Sequence, residues 1–596
     1  VSAPSPALLA YLAGLPPPVE HAAGGGDAIL ETPELQRIRD APREAWEDAE
    51  DLDALVTALS AYLRAPGGSQ VLKRIQAAAL RAICERGSCF IPLRTGGGKT
   101  LITFLAPEVC QAKRPLLVVP AKMINKGKTH REHAAAQGHW RIRPLMSKTA
   151  SRARSLHAHG AAQPLRVVSY EALGRVEYHE ALENWSPDLI MLDEFHKVKD
   201  PSSGVTRQLS KYVRHRSPIV VPLSGTPMNR KLREFAHVLR WALKDGTPLP
   251  KDWHEMHAWG FALDEKVADA ARLRPGALMQ LAPSDPQREE GKDELHVARS
   301  RFASRLRSTP SVIASGDDLP GIPLTARVEK LEPTAQQLSV VNHLRTHWET
   351  PCGHPFEQAT ELWAHEQQVS CDFYYRWRKQ PPPEWLLARR TWSAFVRETL
   401  AHSRTLYTPL AVANAIDRGQ LEDHGILNAW RAAEPLFKPK EHQEAVWVGE
   451  QTLEFCAKWL AETKGLCWVY FTAFGKRLQE RTGLPYFAGG AYKGVAVDQH
   501  DGPAIVSIKA VNEGFNLQTL HSDNLIATCP TTNKENEQLI SRTHRDGQEA
   551  DEVTVTYLQT LEGDVKALDQ ARADAVCVEA MTRQPQRLCA ATWIDE

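Results

Sequence analysis

The chain is 596 residues long, with 42% hydrophobic and 24% charged residues, and its 72 Lys and Arg equal its 72 Asp and Glu. That length is too great for one core; at about 100–200 residues per domain it predicts roughly three to five units of ordinary soluble globular composition. A zero net charge excludes a protein-wide positive field, so a nucleic-acid partner would have to be held by local patches.

Residues 1–68 are expected to form a helical accessory region. The opening VSAPSPALLAYLAGLPPPVE lacks a basic stretch before its apolar residues, and no apolar run in the chain approaches the roughly 18–20 residues of a membrane span. With ten scattered cysteines, this predicts a soluble, intracellular, cytoplasmic protein with no membrane partner. The acidic stretch from Glu31 reads as a solvated helical layer or as a docking surface for a protein partner.

Residues 69–245 change to short apolar runs alternating with helical stretches. CFIPL, PLLVVP, LRVVSY, DLIMLDE and PIVVPLSG each predict a buried parallel strand with a polar loop after it, where an open α/β sheet binds its ligands. The first strand runs into Thr95, Gly96, Gly97, Gly98, Lys99 and Thr100. Glycines there let backbone N–H groups turn inward on phosphate, and the helix that follows offers its positive end to the same charge. Lys99 is expected on the β/γ-phosphates and the Thr100 hydroxyl on Mg²⁺, which makes ATP with Mg²⁺ the expected ligand. The strand DLIMLDEFH delivers Asp193 and Glu194 to its carboxyl end: Asp193 suits a hard cation, and Glu194 can orient and deprotonate water.

Residues 246–440 lose the strand signal and predict a large helical insert, itself a candidate surface for a protein partner. In it, Cys352, His354, His365 and Cys371 read either as a zinc set or as ordinary packing. Two basic tracts, Arg141–Gly160 and YYRWRKQ at 374–380, read as strand-binding patches or as arginines packed on aromatics. The α/β signal returns over 441–560 in LCWVYFTAF, PAIVSIKA, DNLIATCP and EVTVTYLQ, a second and smaller lobe, and 561–596 is a tail expected to be helical.

The order of these segments resembles the superfamily 2 helicases, and several are similar to the Swi/Snf-like branch of DNA-translocating ATPases, over about 69–245 and 441–560. The resemblance implies two RecA-like parallel-sheet lobes with the insert between them. It also implies that Gln76 reads adenine, that DEFH is a DEAH-type box with His196 retained and Phe195 in a place usually small, and that Ser224 and Thr226 of SGTPMN couple hydrolysis to movement. KAVNEGFNLQ, with Gly514, is similar to the family's fifth motif, and QLISRTHRDGQ, with Gln538, Arg542 and Arg545, to its sixth. The two arginines would meet the γ-phosphate from the opposite lobe. Lys122, Lys126, Ser169 and Lys509 would touch a nucleic-acid backbone, with DNA the expected partner. The block at 373–390 resembles phage or prophage-type helicases, which would place the protein in a bacterial or phage-infected cell. The expected activity is a nucleic-acid-stimulated ATPase that translocates along its strand; a strand-separating helicase and a nucleotide-gated clamp are the rivals.

Overall fold

The computed structural model describes residues 28–594 apart from 95, 126, 147–162, 176, 226, 229, 269–270, 317–318, 354–355, 357–358, 404–405, 407–408, 439–440 and 512–514. Four expected site residues, Thr95, Lys126, Thr226 and Gly514, lie outside the described residues, as do His354 and most of the 141–160 tract.

The first sheet has five strands: β1 (Pro115–Val119), β2 (Leu145–Met146), β3 (Leu165–Ser169), β4 (Leu189–Asp193) and β5 (Ile219–Leu223), in the order β2-β3-β1-β4-β5. Every neighbouring pair is parallel. The apolar runs are continuous because both faces of the sheet are covered: Leu116 and Val118 of β1 point into one core, Leu117 and Val119 into the other. Each such fully buried side chain contributes about 1.5–3 kcal/mol relative to exposure. The expected strand CFIPL is reduced to two bridges, Ile91 beside Leu223 of β5 and Phe90 beside Val312. Its backbone turns off early into the glycine loop. Residues 28–63 pack on this lobe, with Ile29, Leu35 and Ile38 in one core and Leu52 and Leu63 in the other.

The second sheet is larger. It contains β6 (Leu324–Lys330), β9 (Leu466–Val469), β10 (Tyr486–Phe487), β13 (Ala504–Ser507), β14 (Asp523–Ile526), β15 (Val553–Gln559) and β16 (Thr592–Ile594). Their order is β10-β13-β9-β14-β15-β6-β16, again all parallel. Two antiparallel pairs stand apart, β7 (Phe373–Trp377) with β8 (Gln443–Trp447) and β11 (Ala491–Tyr492) with β12 (Val495–Ala496). The fold is therefore α/β with two RecA-like parallel-sheet lobes, as expected. Two details differ from the sequence reading: 246–440 contains strands, and the tail supplies one. LTARVEK buries Leu324 and Ala326 but leaves Arg327 and Lys330 exposed, so burial fades along the strand near the sheet's rim. β16 then closes that rim.

The helix Glu562–Thr582 ties the lobes together. Ala567, Leu568, Ala571 and Ala575 lie in the second lobe's core, and Cys577, Val578 and Met581 in the first lobe's. Beside it, Arg230 Nε donates to both carboxylate oxygens of Asp574 at 2.8 and 2.7 Å. Among the described residues no helix is long and apolar enough to cross a membrane.

Candidate active site

The glycine loop is built as a phosphate cradle would be. Gly96 and Gly98 have φ of +89° and +80°, a left-handed conformation that disfavours side chains, and Gly98 caps the helix Lys99–Val109. A Cβ on Gly98 would meet the Gln76 side-chain amide, which would have to swing aside. Lys99 is 8% exposed, and its ammonium donates to the carbonyls of Leu93 (2.9 Å) and Arg94 (3.1 Å). Burial pulls its pKa down, Arg542 and Arg545 add to that, and Glu194 and Asp193 oppose it. Residues from both lobes thus act on one ammonium.

The two acids divide as their surroundings dictate. Asp193 closes β4 with 7% exposure, and burial together with the adjoining Glu194 charge holds its carboxyl above the usual range. Glu194 takes a left-handed backbone at φ +56°. Burial works against its ionisation, but the His196 hydrogen bond and the Lys99 charge outweigh it and bring its pKa below normal. Its Oε2 accepts from Ser224 Oγ at 3.2 Å and faces His196 Nδ1 at 3.1 Å. Burial and Lys534 lower the imidazole pKa to about 4, so at neutral pH the ring is uncharged and its Nδ1–H donates. The ring's Nε2 is buried without a hydrogen-bond partner. Phe195 turns away from the acids into the core, 5.4 Å from the Phe90 ring.

The second lobe reaches the loop through one arginine. A Cβ on Gly96 would meet Arg545 Nη2 at 3.3 Å, so the guanidinium lies over the glycine loop. Its Nη1 donates to Asn516 Oδ1 at 2.7 Å, and its buried Nε has no hydrogen-bond partner. Arg542 is turned inward: Nε donates to Gln538 O at 2.9 Å and Nη1 to Phe515 O at 3.0 Å. That pins the fifth-motif loop to the sixth-motif helix Asn533–Ile540. A buried pair, Arg587 with Glu537 at 2.7 Å, braces the same helix, while Gln584 Nε2 donates to Pro92 O beside the glycine loop.

Other expected residues have partners that sequence could not supply. Gln76 is 4% exposed, accepting from Lys73 N (2.8 Å) and donating to Gly98 O (3.2 Å). One N–H and one oxygen lone pair of its amide remain for a base. Ser169 caps the short helix Tyr170–Leu173 by accepting from Ala172 N, and Tyr170 Oη donates to Asp193 O at 2.8 Å. Lys122 Nζ donates to Lys509 O across the lobes, and Lys509 Nζ sits 4.0 Å from the Tyr470 ring centroid. Arg376 and Arg378 both bond Glu444, at 2.7 and 2.9 Å, so the first part of the 374–380 tract is a paired strand with both its arginines engaged. Cys371 is buried with Sγ 3.1 Å from Thr528 Oγ1, and among the described residues no group of three or more His, Cys, Asp or Glu could hold a metal ion.

Sequence reasoning missed Asn516, Arg587, Glu537 and the Lys128–Glu132 pair, whose charges are 3.3 Å apart. Lys128 feels Arg542 and Asp193, and Glu132 Oε2 is buried without a hydrogen-bond partner. Only the i,i+4 spacing of Lys128 and Glu132 was visible, and that is common on solvated helices.

Residues 68–345 match the SNF2-related domain. The match spans under half of the 596 residues, covering the glycine loop, both acids, β5 and β6, and it ends before the 373–390 block. No curated protein matches the chain. The SNF2-related domain places the segment with the superfamily 2, Swi/Snf-like ATPases, an ATP-dependent family of nucleic-acid translocases and remodellers.

Proposed function

We propose that the protein is a nucleic-acid-stimulated ATPase that moves along DNA, with 69–245 and 441–560 as its lobes, 1–68 and 246–440 as accessory region and insert, and 561–596 as a tail. On this division β6 and β16 are additions to the second sheet. The observation that carries the proposal is Arg545 lying over Gly96, since residues about 450 positions apart in the chain then share one buried cleft with Lys99, Asp193 and Glu194.

The residues present fit a magnesium nucleoside triphosphate: a left-handed glycine loop at a helix N-terminus, the Thr100 hydroxyl and Asp193 as hard oxygen donors, and an unpaired buried guanidinium nitrogen. Mg²⁺, when bound, supplies charge neutralisation at the transferring phosphoryl group. Lys99 would leave Leu93 O and Arg94 O for phosphate oxygens. Glu194, held ionised by His196 and Ser224, would take a proton from water at the oxygen not shared with them. Arg545 would neutralise charge that grows only in the transition state. His196 and Ser224 lie between the acid and the end of β5, so a change at Glu194 would pass to SGTPMN and from there, through Arg230 and Asp574, to the helix shared by both lobes. An intracellular location accords with ten free thiols.

Phosphate release measured in parallel with duplex DNA, single-stranded DNA and RNA tests this reading; stimulation by duplex DNA above the others supports it. A nucleotide-gated clamp predicts no stimulation by any of them. Lys99→Ala is expected to lower hydrolysis at least about 10²-fold and to abolish retention of a fluorescent ATP analogue, with an unchanged circular dichroism spectrum. Backbone grip also predicts a steep salt response, with a log–log slope near −0.9 per neutralised phosphate on duplex DNA. Lys122→Gln with Lys509→Gln should make that slope shallower by about 1–2, read from binding isotherms between 50 and 200 mM salt.

A further inference from the structure

Away from the ATP cleft, a helix at the start of the insert, packed on the first lobe's core, carries a ladder of rings. In Trp253–Leu263, Met256, Trp259, Ala262 and Leu263 face the core. Trp253, His257 and Phe261 recur every fourth residue on the other face, about 6 Å apart along the axis. Their ring centroids are 5.6 Å and 5.0 Å apart. Trp253 is 55% and Phe261 37% exposed. Two large aromatics held open on one face lose the stabilisation that burial would give them, and such surfaces mark binding sites.

The ladder forms one wall of a cavity of about 100 Å³ whose rim carries Lys231, Arg233 and Lys266. Arg233 Nη1 lies 3.4 Å from His257 Nε2, which sets the cation at the ring edge. Asp264 lines the same cavity and is acted on by Arg233 and Lys231, but the neighbouring acids also have partners of their own. Asp264 is 6% exposed and accepts from Leu232 N at 2.7 Å; Glu265 pairs with Arg299 at 3.0 Å; Asp252 accepts from the amides of His254 and Glu255 at 2.8 and 2.9 Å. The cavity is thus lined by three cations against one acid, Asp264, which is almost wholly buried.

We propose that this face is a second nucleic-acid contact, binding an unpaired strand with bases stacked on Trp253 and Phe261 and phosphates on Lys231, Arg233 and Lys266. Aromatic faces backed by cations are the chemistry of sequence-tolerant single-strand binding. A duplex hides its base faces in the stack and would use only the cations. The motor would thereby hold a displaced or free strand on the insert beside its first lobe while the cleft between the lobes works on the track.

The test is fluorescence anisotropy of a labelled dT20 with the full chain, without nucleotide, repeated with U20 to separate DNA from RNA. Trp253→Ala with Phe261→Ala is expected to raise the dT20 Kd at least about tenfold while leaving binding of a blunt 20-base-pair duplex within about twofold. Trp253→Phe with Phe261→Tyr should restore dT20 binding. Changing Lys231, Arg233 and Lys266 to Gln should reduce the single-strand salt slope by about 2. The same losses are expected in a Lys99→Ala background, so failure of the ATP-site reading leaves this one separately testable. In the unaltered chain, an iodouracil-substituted oligonucleotide should crosslink to Trp253 or Phe261, which keeps the test open should a variant unfold. Unchanged dT20 affinity, an equal loss for duplex, or crosslinks confined to other segments would overturn the proposal. Displacement of dT20 by polyglutamate, lost in the ring variant, would overturn it in favour of an acidic protein partner.

Discussion

Arg545→Ala is expected to leave ATP binding within a few-fold of the parent and to lower stimulated hydrolysis about 10³-fold or more. The guanidinium lies over Gly96 from the second lobe, held by Asn516 through Nη1 while its buried Nε has no hydrogen-bond partner. Burial and the Arg587 charge lower its pKa, opposed only in part by Asp546 and Glu132, so the cation is held there at a cost. A phosphoryl group gathering charge removes that cost, so the interaction strengthens along the reaction and enters turnover more than ground-state binding. Arg545→Lys should recover little, because a point charge lacks the planar fork and loses the Asn516 bond. Single-turnover hydrolysis and equilibrium binding of a nucleotide analogue, measured with saturating nucleic acid, separate the two terms. Parent-rate hydrolysis in both variants would exclude a site completed by two lobes.

Glu194→Gln is the second large effect. Turnover should fall about 10²–10⁴-fold, with nucleotide binding kept and nucleic acid held longer. An amide has nearly the shape of the carboxylate, and its oxygen can still accept from Ser224 and His196, so the loop and β4 need not move. What is lost is the basic oxygen. The contrast with Lys99→Ala is diagnostic: the lysine variant fails at binding, whereas the glutamine variant binds and stalls. Slow dissociation of labelled DNA in the presence of ATP would report the stalled state, and an unchanged turnover number would remove Glu194 from the role of base.

Phe195, Gln76 and Ser169 show how far local sequence could reach. Each stands where the family pattern places it, and each has a partner that the pattern does not mention. Phe195 fills the core against Phe90, Gln76 joins the loop to the start of its own helix, and Ser169 caps four residues that bring Tyr170 to Asp193 O. A motif fixes a residue's chemistry and its position on a strand end; it does not fix which neighbour will compete for its hydrogen bonds.

The sequence alone determined the nine β-rich runs, the glycine loop and the pair of acids. These depend on short-range chemistry: alternation too apolar for a one-sided sheet, glycines where φ must be positive, and carboxylates directly after a buried run. Tertiary structure decided what those parts meet. It brought Arg545 to Gly96 and Gln584 to Pro92, gave the helix Glu562–Thr582 to both cores, and drew LTARVEK and the chain's last described strand into the second sheet. It also gave the arginines of 374–380 to Glu444 and set Trp253 and Phe261 open on the surface. The reason is physical. A contact between residues hundreds of positions apart is selected by packing of whole lobes, and alternation of apolar side chains encodes which face is buried but not against what.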